Sequence, residues 1–179
     1  MAEFLWIFWS FSLLGWVLER LFAAVTRSPR RRRRCLLLLP LCPVYGLGMA
    51  AVLALPPSLR SGWPLYLWGG LTATSVEYIY HWWGETFLGV SFWDYTGVFG
   101  NFRGRVCLPF SLAWGLLLLP AVYLVTPPVV ALADRVPIGV TWWLLLAFTA
   151  DAVCSLRFLA VTHDLEALRA VIWPVSADR

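Results

Sequence analysis

The chain has 179 residues, 60% hydrophobic and 13% charged, with a mean hydropathy of +0.73 and a formal net charge of +4. A water-soluble domain carries about 45–50% apolar and about 25% charged residues, so this chain cannot hide its apolar side chains in a core of its size. A soluble globular domain is excluded and lipid is the expected solvent. All fourteen basic residues are arginine, and six of them lie between Arg27 and Arg34. Beside apolar segments such a run is a topology signal, and no nucleic acid is expected as a partner.

About 20 apolar residues rising 1.5 Å each cross a hydrocarbon core of about 30 Å. By that rule the sequence predicts an all-α integral membrane helix bundle of about five transmembrane helices in one domain. The first span covers 4–25, with no small-residue cleavage site after it, so no cleavable signal peptide is expected. The arginine run follows. The second covers 35–55 and closes at Pro56-Pro57; Gly46 and Gly48, near Pro40 and Pro43, read as a kinked and closely packed helix start. The third covers 63–88. A polar connector rich in glycine and aromatics fills 89–106. The fourth span, 107–126, ends before Pro127-Pro128, and the fifth covers 138–160 ahead of a short amphipathic tail.

Arginine placement predicts the orientation. A cytoplasmic 27–34 loop puts the 89–106 connector (Arg103, Arg105) and the tail (Arg169, Arg179) on the same side, leaving Arg60 and Arg135 outside. The expected localisation is therefore multi-pass in a bacterial inner (plasma) membrane, N-terminus outside and C-terminus cytoplasmic. Trp6, Trp63, Trp142 and Trp173 suit interfacial belts. Cys35, Cys42, Cys107 and Cys154 match no zinc or redox spacing and are expected as reduced, packed thiols.

Charges within spans cost several kcal/mol unless paired or hydrated, which makes them functional candidates. Glu19, Glu77, Glu85 and Asp151 are such residues. Glu77 and Glu85 are eight residues apart and share a helix face, Glu85 nearer the connector. With Asp94, Asn101, Arg103 and Arg105 they predict a cytoplasm-facing polar pocket, acidic below and capped by arginine; the alternative is that these pairs only hold helices together. Glu77, His81 and Glu85 at i, i+4 and i+8 could support a metal only with further ligands from elsewhere, so neither metal nor cofactor is expected. The sequence contains no GxxxxGK[ST], GxSxG or HExxH.

Several blocks occur in a specific order. Gly15-Trp16 with Glu19 precedes Pro40-x-Cys42-Pro43-Val44-Tyr45-Gly46; then come Glu77-Tyr78, Glu85, Trp93-Asp94-Tyr95, Asn101, Gly104-Arg105-Val106-Cys107, Ser111 and Trp114-Gly115. Over residues 4–125 this order resembles the ABC-transporter type IV family of small membrane proteins named as permease candidates. Arg34-Cys35 and Leu39-Pro40 stand where that pattern has Arg-Gly and Gly-Pro. The resemblance implies a membrane fold and a permease-type transport component.

Three functions remain open. A transport component would need a separate ATPase subunit or a second copy as a homodimer, with Tyr45, Glu85, Asn101, Arg103 and Arg105 binding substrate. A membrane-embedded enzyme acting on a lipid or isoprenoid would use Glu19, Glu77 and Asp94 as acid or base, and catalysis is left undecided. A scaffold would use the polar residues as structural links. The first is the leading expectation.

Overall fold

The computed structural model describes residues 2–26 and 35–170, and it is an all-α bundle. Helix α1 is Ala2–Thr26, α2 is Pro43–Leu53, and α3 runs without a break over residues 62–88. Helix α4 is Leu108–Arg135, α5 is Ile138–Thr162 and α6 is Leu165–Ala170. Among the described residues three helices, α1, α4 and α5, are long and apolar enough to cross a membrane. Helix α3 is as long as these but carries Glu77, His81 and Glu85. The arginine run 27–34 and residues 171–179, with Trp173 and Arg179, lie outside the described residues.

The second predicted span is half coil and half helix. Pro40 and Pro43 lack backbone donors and push the residues before them out of the helical region, so residues 35–42 are irregular and α2 begins only at Pro43. Eleven helical residues reach about 16 Å, half of what a crossing needs. An irregular segment at membrane depth survives only inside protein, with its backbone groups satisfied. Leu36 and Leu37 are indeed buried. Leu38 and Leu39 donate their amides to the Asp151 carboxylate of α5 at 3.1 and 2.9 Å, and Cys42 donates to the Ser12 carbonyl at 2.9 Å. The Ser155 hydroxyl also donates to Asp151 (3.0 Å).

The fourth span is longer than the prolines suggest. It passes Pro120, Pro127 and Pro128 and stops at Arg135. A wide turn at Ala121–Val125 absorbs the missing donors, and the Thr126 hydroxyl donates to the carbonyl of Ala121 (2.8 Å). Threonine side chains and locally widened turns are how membrane helices tolerate proline.

Glycines set the closest helix contacts. A Cβ on Gly46 would lie 2.4 Å from the Phe8 carbonyl oxygen, and one on Gly15 would lie 2.2 Å from the Tyr45 ring, so α1 and α2 cross in near backbone contact. Gly70 of α3 meets Gly115 of α4 in the same way. Gly48 differs: nothing lies within 4 Å of a Cβ there. The expected close packing therefore holds at Gly46 and not at Gly48.

The ends of the bundle are defined by long-range contacts. At one end Phe22 meets Phe110 (centroids 5.8 Å), and the His163 ring lies 2.6 Å from the Leu88 carbonyl. At the other, the Trp6 indole donates to Thr141 (3.1 Å) and the Gly62 amide to the Tyr123 hydroxyl (2.9 Å). The C-terminal ends of α1 and α5 and the 89–106 connector thus share one end. Cys35, Cys42, Cys107 and Cys154 form no disulfide among the described residues; Cys42 and Cys107 are buried and Cys154 is exposed.

Candidate functional site

Glu77 is the buried carboxylate of the bundle centre, 1% exposed. It lies eleven residues before the end of α3, about 16 Å from the connector. The Trp114 indole of α4 donates to its Oε2 (2.7 Å), and the Tyr95 phenol of the connector donates to its Oε1 (3.2 Å). Tyr95 is itself buried and stacks on Phe110 (5.0 Å). The Trp114 ring meets Tyr45 edge to face (5.1 Å, 71°), and the Tyr45 hydroxyl donates to Glu19. A polar line therefore crosses the bundle from Glu19 through Tyr45 and Trp114 to Glu77 and Tyr95.

A cavity of about 320 Å³ opens beside this line between α1, α2, α3 and α4. Its walls are apolar: Phe11, Leu14, Leu18 and Leu21 of α1, Val44 and Met49 of α2, and Leu117, Leu118 and Val125 of α4. Tyr45, Glu77 and Trp114 bring the polar groups to it, and Gly48 provides open wall. At one end it is closed by the apolar cluster that joins Ile7, Phe11 and Leu118 to Val129 and Val130. At the other stands the Phe22–Phe110 contact.

Eight residues along α3 lies a different arrangement. Arg105 of the connector donates from Nε to Glu85 Oε2 at 2.7 Å and from a terminal nitrogen to the Tyr78 hydroxyl at 2.9 Å, with its guanidinium 5.2 Å from the Tyr78 ring centre. His81 Nε2 lies 3.1 Å from Glu85 Oε1 and 3.3 Å from the Ser91 hydroxyl. The Trp93 indole donates to the Arg105 carbonyl (2.7 Å) and holds the arginine's own backbone in place.

The connector is an ordered loop whose shape is written by its own polar groups. Gly97, Gly100, Arg103 and Gly104 adopt positive φ, which is inexpensive only for glycine. The Asn101 side chain accepts from the Gly104 amide (3.2 Å) and donates to the Val98 carbonyl (3.0 Å). Asp94 accepts from the Thr96 amide (2.8 Å), an Asx turn. The Thr96 hydroxyl and amide hold the Asp94 carboxyl below the usual carboxylate range, against a smaller opposing effect of desolvation. Arg103 is exposed, its guanidinium 5.7 Å from the Phe102 ring centre.

The expected single polar pocket is therefore divided. Glu19 and Tyr45 form one pair, Glu77 sits with Trp114 and Tyr95, and Glu85 sits with Arg105. Asn101 and Asp94 are occupied in shaping the connector. Among the described residues no three His, Cys, Asp or Glu side chains converge as metal ligands. Sequence reasoning did not assign Tyr95, Trp114 or Tyr78 to the site, although each stands in a block quoted above. Their indole and phenol groups sit one turn or one loop from a charged residue, which is a weak signal without the fold.

Fold and site together define a multi-pass membrane protein with a carboxylate buried inside its helix bundle. Residues 6–156 match the family model described as "Putative ABC-transporter type IV", and the chain belongs to that family. No curated protein and no solved structure matches the chain.

Proposed function

We propose that this chain is the membrane-embedded component of an ABC-type transporter, with ATP hydrolysed by a separate subunit. The observation that carries the proposal is Glu77, a carboxylate at mid-depth that lines an apolar cavity between four helices. An intramembrane carboxylate on a cavity marks a substrate or ion path. The broken second crossing supports the same reading, because discontinuous helices at the bilayer midplane are how many transporters expose polar groups to cargo. Glu19 and Tyr45 flank the cargo site, and the connector faces the cytoplasm, where Arg105 anchors it to α3 for contact with the ATPase. The N-terminus is outside and the C-terminus inside.

The test is purification of the tagged chain from its native membrane with whatever hydrolyses ATP beside it. A nucleotide-binding subunit is expected in the complex, with ATP hydrolysis at least tenfold lower in Glu77→Gln while the complex stays intact. Recovery of the chain with no ATP-hydrolysing partner overturns the reading. If a membrane lipid then changes in amount with Glu77→Gln, catalysis on that lipid replaces transport.

A further inference from the structure

The cavity has a mouth, and the mouth faces lipid. Helices α1 and α4 touch at both ends, through Phe22 and Phe110 at one and through the cluster of Ile7, Phe11, Val129 and Val130 at the other. Between these contacts they are lined by Leu14, Leu18, Leu21 and Leu117, all of them exposed on the outer surface of the described residues. Leu117 lies nine residues into α4, about 14 Å from its start. That depth is inside the hydrocarbon, so a solute in water does not reach the mouth directly.

The interior adds two constraints. Its volume of about 320 Å³ is roughly twice that of a ~150 Å³ apolar cavity that admits benzene, which leaves room for roughly a dozen carbon atoms. Its polar wall is a carboxylate beside two aromatic rings, Glu77 with Trp114 and Tyr45, and among the described residues no basic side chain lines it. A phosphate head group would meet a carboxylate there in place of a cation. An ammonium group meets both a carboxylate acceptor and ring faces that attract cations.

We infer that this cavity binds a single-chain lipophilic amine drawn sideways from the bilayer, with its hydrocarbon chain along α1 and α4 and its ammonium group at Glu77. The inference rests on the reading of the cavity as the cargo site and names the class of cargo. The amine is held by charge and ring faces at the head and by apolar walls along the tail. Entry requires only that the leucines at the mouth part.

The probe is dodecylamine carrying a photoreactive diazirine on its chain, with the matching dodecyl phosphate as control, and the protein alone in phosphatidylcholine nanodiscs. Irradiation and peptide mapping should place the amine on residues 14–21 and 117–125, at least tenfold above the phosphate. Gly48→Leu fills the open wall and should remove this labelling. Leu18→Trp narrows the mouth from an exposed position that cannot unfold the core, and should do the same. Glu77→Gln should bring the amine down to the level of the phosphate. Equal labelling by both probes, or labelling that ignores Gly48→Leu and Leu18→Trp, overturns the inference. No ATPase is present in this assay. Amine labelling here, combined with recovery of no ATP-hydrolysing subunit from the native membrane, removes the transport reading and keeps the site, and the reverse pair of results removes the cargo class and keeps transport.

Discussion

Two glutamates on one helix, eight residues apart, have opposite surroundings. Glu85 sits at the connector end of α3, about a third exposed, between a guanidinium and an imidazole. Glu77 sits near the middle of α3, almost fully buried, held by an indole and a phenol beside an apolar cavity. Ion pairing with arginine is directional and fixes geometry, so Glu85 acts as the clamp that joins the connector to the bundle. Glu77 is positioned by an indole and a phenol beside the cavity wall. A shared helix face therefore does not imply a shared role.

The contrast can be broken at the clamp first. Arg105→Ala leaves Glu85 without the guanidinium and the Tyr78 hydroxyl without its donor, and should give the largest fall in melting temperature in detergent. Arg105→Lys should recover less than half of that loss, because an ammonium cannot bridge Glu85 and Tyr78 as the planar fork does. Full recovery would show that only charge matters there. Next in size is Asp151→Ala, which orphans the amides of Leu38 and Leu39 at a cost of about 2 kcal/mol. Alkylation of Cys35, beside that segment, should speed up by about tenfold.

At the other pole the effects on stability are smaller. Trp114→Phe keeps the ring and removes one hydrogen bond to Glu77, so about 1 kcal/mol should be lost. The loss should vanish in a Glu77→Gln background if the indole acts only through that carboxylate, as a double-mutant cycle would reveal. The smallest effect is at Asp94. Its folded-state carboxyl is held below its ordinary range, so it stabilises the connector at neutral pH, and that contribution disappears as pH falls through the lowered value. Protease cleavage within 89–106 should rise on acidification, and Asp94→Asn should flatten the profile.

Much of the fold is legible in the sequence because membrane spans announce themselves by length and apolarity. The first and fifth spans end close to where the helices end, and Glu77 and Glu85 stand out as charges in apolar surroundings. The prolines mislead in both directions. At Pro40 and Pro43 they do break the helix, within a segment apolar enough to read as continuous. At Pro127-Pro128 they do not, because Thr126 and a widened turn take up the unsatisfied carbonyls. The partners of Glu77 are invisible in one dimension: Trp114 is 37 residues away and Tyr95 is 18. Gly46 and Gly48 look alike in sequence, yet one is a contact and the other a wall of the cavity. Only the positions of Phe8 and Ser12 across the interface tell them apart.

The Asp151 carboxylate, reaching back 113 residues to the amide of Leu38, also orders the assembly of the protein in time. Residues 35–42 emerge from the ribosome long before α5 exists, and lipid offers their amides nothing to bond. The stretch must wait in water or at the translocon until the last long helix arrives. The 35–42 segment is thus the last to be secured, and a chain truncated before residue 151 would lack the carboxylate that secures it.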